Sequence, residues 1–164
     1  SAALKKNALD AAGYRRLIET TTRLNTPGIA LADMPAVHAI TDVTGFGLAG
    51  HALEVARGAG MQVEIEWSKV PLLDGVAAMA RDGFVTGASG RNWSGYGADV
   101  ELDSRLPAEA RDLLTDPQTS GGLLVSCDPE AAATVIDIFR TRGFDTAAAI
   151  GTVRRGPAGL HIVA

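Results

Sequence analysis

Three features of the 164-residue sequence predict an α+β fold, with helices covering a mixed β-sheet in a layered sandwich. Met61, Val63, Ile65 and Trp67 alternate with Gln62, Glu64 and Glu66, a period of two that marks a strand solvated on one face. Leu48, Ala52, Val55, Ala56 and Ala59 recur at helical spacing, and Gly60 supplies a natural stop. Helical and strand segments intermix without a strict β-α-β-α rhythm, which favours helices over a mixed sheet rather than a parallel one.

In chain order, the first thirty residues read as helical, with Tyr14, Leu17, Ile18 and Leu24 roughly on one face and Asp10 available as a cap. Pro27 disfavours helix at the preceding residue, so Asn25–Gly28 breaks the pattern. A short helix or turn over 29–34 leads through Pro35 to a strand at 37–41. After the helix at 48–59 and the strand at 61–67, Pro71 begins a helix through about Arg81 that ends at Gly83. From Val85 to Gly97 the chain is glycine-rich without sustained periodicity, which predicts a loop of functional length. A short strand near Val100, a helix after Pro107, and the turn Asp116-Pro-Gln-Thr-Ser-Gly-Gly follow, feeding a strand at 123–127. Asp128-Pro129 places a cap before a proline at the first helical position, and Val135, Ile136, Ile138 and Phe139 give that helix its buried face. From Thr146 to Val163 two strands joined by Arg154-Arg-Gly-Pro-Ala-Gly read as a hairpin.

Composition narrows the functional classes. A hydrophobic fraction of 46% and a charged fraction of 21% fit a globular chain long enough to bury a core. Net charge is −4, and no basic cluster exceeds two adjacent residues, which argues against nucleic acid as a partner. No apolar run approaches the ~18 residues of a membrane span, and no basic-then-apolar stretch within these residues suggests secretion. The start, Ser-Ala-Ala-Leu-Lys-Lys without an initiator methionine, fits a piece of a longer polypeptide. Cys127 is the single cysteine; it permits no internal disulfide, reads as a small core residue, and fits a reducing cytoplasm.

The most informative stretch is Ile40-Thr-Asp-Val-Thr-Gly-Phe-Gly-Leu-Ala-Gly-His51. It sets Asp42 at the end of a short strand, followed by Thr44, Gly45 and Gly47 at the opening of a helix. Such a turn can hold a hard cation on the carboxylate and turn backbone N–H groups toward phosphate oxygens. The same residues admit a second reading, in which Asp42 or Thr44 simply caps the helix. His51, one turn beyond Gly47, either faces the site or serves as a satisfied structural residue. His38 precedes Asp42 by four strand residues and so shares its sheet face. The Gln118-Thr119-Ser120-Gly121-Gly122 turn can bind an anion through backbone donors, or can be a tight connection with no ligand. Arg91 and Asn92 are candidate phosphate or nucleotide contacts; Trp67 reads as the last core-facing residue of its strand, and Trp93 and Tyr96 as packing for their loop. There is no Walker lysine loop and no Ser–His–Asp set, so the chain carries at most half of a metal–phosphate site.

Thr41-Asp-Val-Thr-Gly-Phe-Gly-Leu-Ala-Gly-His51 together with Asp116-Pro-Gln-Thr-Ser-Gly-Gly-Leu-Leu-Val125 resembles selenophosphate synthetase (selenide, water dikinase). Thr22-Arg-Leu-Asn25, Gly90-Arg-Asn92 and Ala149-Ile-Gly-Thr-Val153 extend the resemblance over nearly the whole chain. The resemblance implies an enzyme that converts selenide, ATP and water to selenophosphate, AMP and phosphate. It implies a C-terminal α+β domain of the aminoimidazole ribonucleotide synthetase type over 35–164, preceded by a helical lead-in over 1–34. An N-terminal α/β domain, absent from these residues, would form a homodimer and bind most of the ATP. That absent half would also hold the reactive Cys or selenocysteine, its lysine and the other metal-binding aspartates, so no catalytic residue is assigned to this chain and Cys127 does not inherit the role. Asp42 matches the family's one magnesium-binding aspartate from this half. Thr44, Gly45, Gly47, Asn92, Thr119 and Ser120 are the candidate nucleotide or phosphate contacts. The isolated piece is expected to be inactive. Another enzyme of the same ATP-binding group is the competing reading, such as aminoimidazole ribonucleotide synthetase or thiamine-phosphate kinase, against which Phe46 and His51 favour the selenium branch. A non-catalytic interaction domain is the alternative from a different class.

Overall fold

A computed structural model describes residues 2–164. The elements run α1 (Ala2–Lys5), α2 (Ala11–Thr21), α3 (Pro27–Leu31), β1 (Val37–Asp42), α4 (Gly47–Ala59), β2 (Gln62–Glu66), α5 (Val76–Arg81), α6 (Gly87–Tyr96), β3 (Val100–Leu102), α7 (Ala110–Leu114), β4 (Leu123–Cys127), α8 (Ala132–Arg140), β5 (Gly151–Arg154) and β6 (Gly159–Val163). The strands form two sheets rather than one. A mixed four-stranded sheet has the order β3-β6-β2-β5, and β1 pairs antiparallel with β4 in a separate ribbon.

The period-two pattern at 62–66 does what it predicts. Val63 and Ile65 are buried, while Gln62, Glu64 and Glu66 are only partly covered. Leu160 and Ile162 of β6 continue the buried face, and α4 lies across it with Ala49, Ala52, Leu53 and Ala56. Small side chains along that stripe let the helix approach the sheet closely. Leu53, Ile65, Leu160 and Ile162 each contribute about 1.5–3 kcal/mol as fully buried aliphatic side chains. A second core joins α3 to α8 over the β1–β4 ribbon, through Leu31, Val135 and Phe139, with Phe144 set edge-on to Phe139.

The tail is not a hairpin. β2 lies between β5 and β6, antiparallel to the first and parallel to the second. The Arg154-Arg-Gly-Pro-Ala-Gly connection therefore steps over a strand, because β2 offers two edges and an apolar face that β5 and β6 alone would lack. The glycine-rich segment is likewise not a loop. Residues 87–96 form α6, capped by the Thr86 hydroxyl, which accepts from the Ser89 N–H at 3.3 Å. Ser89, Asn92, Trp93 and Tyr96 recur at helical spacing and form its inner face. Packing there overrides glycine's helix cost of roughly 1 kcal/mol per residue, since Gly90 and Gly95 lie on the exposed side.

Smaller departures follow from local chemistry. The helix expected from Pro71 starts only at Val76, after Gly75 at φ 80°. Trp67 opens a 3₁₀ turn (Trp67–Lys69) instead of ending the strand, yet still packs on the main core. Asp10 caps α2 as expected, its carboxylate accepting from the Gly13 N–H at 2.7 Å. Four apolar residues of that lead-in are not covered: Tyr14, Ile18, Leu24 and Ile29 are all exposed, Leu24 and Ile29 by more than three quarters. No described helix is long and apolar enough to cross a membrane.

Candidate functional site

The two sequence motifs meet in space. Antiparallel pairing of β1 with β4 sets Asp42 opposite Leu123, so the turn after β1 lies beside the turn before β4. Backbone bonds join them: the Gln118 N–H donates to the Thr44 carbonyl at 2.9 Å, and the Val43 N–H to the Gly122 carbonyl at 2.9 Å. A Cβ at Gly121 would stand 1.9 Å from the Val43 carbonyl oxygen, so only glycine permits this contact. The Asn25 amide, from the lead-in, donates to the Gly121 carbonyl at 2.9 Å and ties a third segment to the junction.

Asp42 ends β1 with its side chain exposed. It does not cap α4: the N-cap position is Phe46, with no side-chain cap bond. Thr44 does not cap it either, because its hydroxyl faces the His51 Nε2 at 3.2 Å. The capping alternative is thereby removed for both residues. Nor does His38 support Asp42. A bulge between Val37 and Ala39 interrupts the register, and the His38 ring bonds Asp128 at 2.8 Å. An exposed carboxylate at a strand end, with no salt bridge among the described residues, is the donor type a hard divalent ion takes. Among the described residues no group of three His, Cys, Asp or Glu side chains could hold a metal, so Asp42 offers one ligand to a site that other residues must complete.

Gly45 is exposed, but its carbonyl accepts from the Asn92 amide at 2.8 Å; the same amide nitrogen donates to the Thr115 carbonyl at 3.0 Å. Asn92 thus fastens the turn after β1 to the end of α7. Gly47 begins α4 at φ 69°, pressed against Leu114 and Thr115. Thr119 and Ser120 are exposed in the second turn, where Ser120 holds φ 52°. That left-handed conformation in a hydroxyl residue is uncommon and marks a turn held in shape by its surroundings. Arg91 is exposed on α6.

Three side chains that the sequence reading did not connect complete the scaffold. The Tyr96 hydroxyl donates to the Phe46 carbonyl at 2.5 Å, and burial pushes its phenol up to about 12, the backbone bond at Gly50 pulling the other way. The Thr86 hydroxyl donates to the Asp116 carboxylate at 2.9 Å. Burial raises the Asp116 pKa above the usual carboxylate value, with the Thr86 bond opposing it. His51, 7% exposed, accepts the Thr44 N–H on Nε2 at 3.0 Å. The helical recurrence of Ser89, Asn92, Trp93 and Tyr96 was the available signal for Tyr96; nothing local signalled the Thr86–Asp116 bond. Cys127 is partly buried in β4 with its thiol pKa raised by burial, far from thiolate reactivity. A largely apolar cavity of about 960 Å³ between the sheets reaches Gln118 and Thr119 but not Asp42.

The family described as "AIR synthase related protein, C-terminal domain" matches residues 9–163. A protein of Burkholderia pseudomallei (strain K96243) named "Selenide, water dikinase" is 59% identical over 162 residues, 99% of this chain and 46% of its own length. One of the same name from Rhizobium meliloti (strain 1021) is 49% identical over 163 residues, 99% and 47% of the two chains. The chain therefore spans about half the length of these curated relatives. Among solved structures, E. coli HypE superposes with a TM-score of 0.62 at 21% identity, over 99% of this chain and 41% of that one. A thiamine-monophosphate kinase from Stenotrophomonas maltophilia K279a gives 0.62 at 17% identity, over 98% and 44%. At such identities the structures attest the α+β fold alone.

Proposed function

The chain belongs to the AIR synthase related protein family, as its C-terminal domain, and from that premise we propose that it supplies the C-terminal half of an ATP-dependent selenophosphate synthetase. In this reading residues 35–164 are the domain and residues 1–34 the lead-in from an N-terminal half that binds most of the ATP and forms a homodimer. The exposed apolar residues Tyr14, Ile18, Leu24 and Ile29 support a further protein surface against the lead-in. Identities of 49–59% to proteins named selenide, water dikinase favour the selenium chemistry over that of the structural neighbours, which reach only 21%. The lone cysteine supports a reducing compartment, the cytoplasm.

One observation carries the site assignment: the Asp42 carboxylate is exposed at a strand end, beside the turn of Thr119 and Ser120. In the assembled enzyme Asp42 contributes one oxygen ligand to magnesium, alongside carboxylates of the other half. A divalent cation so placed neutralises charge on phosphate oxygens as phosphoryl groups move. Thr44, Gly45 and Gly47 shape the turn that aims Asp42. Asn92 holds that turn from α6, and Thr119 and Ser120 present hydroxyls and backbone donors on the neighbouring side, within the nucleotide's reach.

In the polypeptide carrying both halves, Asp42→Ala is expected to fold normally and to lose selenide-dependent ATP consumption. Measured by coupled AMP release, turnover equal to the unsubstituted enzyme refutes the assignment.

A further inference from the structure

His51 contacts both threonines that flank Asp42 and Val43, and the reading above leaves it without a role. It sits on α4 and is 7% exposed, yet it is not an inert core residue. Its Nε2 accepts the Thr44 N–H at 3.0 Å and lies 3.2 Å from the Thr44 hydroxyl. Its Nδ1 lies 3.4 Å from the Thr41 hydroxyl and 3.2 Å from the Glu54 carboxylate. We propose that His51 is a positioning residue for Asp42, its ring bracing Thr41 against Thr44 and so fixing where the intervening carboxylate projects. The inference rests on the assignment of Asp42 as a cation ligand.

The hydrogen bonds dictate one tautomer. A backbone N–H can only donate, so Nε2 presents its lone pair to Thr44 and the ring proton resides on Nδ1. There it is donated to the Thr41 hydroxyl, 3.4 Å away, while the Glu54 carboxylate lies 3.2 Å from the same nitrogen. The arrangement Glu54–His51–Thr44 resembles the order of a catalytic relay, but the backbone N–H already fills the lone pair that a general base would need. The ring therefore holds geometry rather than moving a proton. Asp42 and Val43 are the only residues between the two threonines it touches, and the Asp42 side chain projects to solvent, so the backbone turn sets its direction. Phe46, whose ring centroid lies 5.8 Å from that of His51, covers the imidazole.

Partners behind metal ligands typically change metal affinity by 10–100-fold when removed. The test uses the polypeptide carrying both halves, titrated with Mn²⁺ in the presence of a non-hydrolysable ATP analogue, with free Mn²⁺ read by electron paramagnetic resonance. His51→Leu keeps bulk but leaves the Thr44 N–H without an acceptor, and is expected to weaken Mn²⁺ binding by about 10-fold. His51→Gln, which can set Oε1 near the position of Nε2, is expected to recover most of that loss. Unchanged Mn²⁺ affinity in His51→Leu, or no recovery in His51→Gln, overturns the proposal. Asp42→Asn separates the two layers: if it binds Mn²⁺ like the unsubstituted protein, the cation assignment itself has failed. Should His51→Leu not fold, ¹⁵N imidazole spectra of the unsubstituted protein decide. A proton on Nδ1 with a correlation from the Thr44 amide to Nε2 supports the proposal, and a proton on Nε2 overturns it.

Discussion

Replacing Gly47 with alanine tests the joint on which the site is built. Gly47 holds φ 69°, where an L-residue costs roughly 1–2 kcal/mol. Its added Cβ would stand 2.6 Å from the Leu114 carbonyl oxygen and 2.7 and 2.9 Å from the Thr115 carbonyl carbon and Cα. All three are backbone atoms of the buried end of α7, so no flexible side chain can swing away. Overpacking of that kind adds about 1–3 kcal/mol, and a combined loss near ~3 kcal/mol lowers the melting temperature by roughly 6–12 °C in a domain of this size. Gly45→Ala is the internal control, because nothing lies within 4 Å of its added Cβ and its φ is not positive. Its stability is expected to stay within ~0.5 kcal/mol of the original. Thermal and urea unfolding of the two variants give the comparison. If Gly47→Ala melts together with Gly45→Ala, the close approach of α4 to α7 is wrong, and with it the derived position of the turn carrying Asp42.

Two further measurements probe the scaffold by pH. With Tyr14 replaced by Phe, the remaining tyrosine, Tyr96, is expected to ionise near 12; between 10 and 12 the unfolded phenol gives up its proton while the folded one keeps it, so stability falls over that interval. A phenolate absorbance midpoint near 10 would contradict its burial. Asp116→Asn keeps the oxygen that accepts from Thr86 and removes a charge that burial disfavours, so it is expected to stabilise the fold at neutral pH. The raised folded pKa means the carboxylate's proton is lost first from the unfolded chain. Stability therefore declines as pH rises through the unfolded value of 3.8 and then the folded one, and the advantage of Asp116→Asn should shrink in acid. Equal urea midpoints for the two proteins at pH 7 would refute it.

Local chemistry made much of the structure legible. The cap at Asp10, the stop at Gly60 with φ 63°, the alternation at 62–66 and the apolar face of Val135 and Phe139 are each written in a few adjacent residues. The motif around Asp42 was equally legible, because strand, turn and helix start follow one another without a break. What misled was information that is not local. Glycines argued for a loop at 85–97, and only the face of Ser89, Asn92, Trp93 and Tyr96 packed on α4 and α7 makes it a helix. Arg154-Arg-Gly-Pro-Ala-Gly suits a turn, but turn chemistry alone does not say whether the flanking strands pair with each other or with a third.

The amino-acid order alone settled the α+β composition, the place of Asp42 at the end of its strand and the glycines around it, since those depend on backbone preferences over short spans; that the carboxylate is exposed and caps no helix came from the folded structure. Tertiary structure alone decided that the strands divide into two sheets and that β2 parts β5 from β6. It also decided that the Asp42 turn is bound by Asn92 and Tyr96 of α6, His51 of α4 and Gln118 of the turn before β4. Those bonds join residues up to 74 positions apart in sequence, as Gln118 is from Thr44. Each pairs a donor with an acceptor that only the folded chain brings within reach.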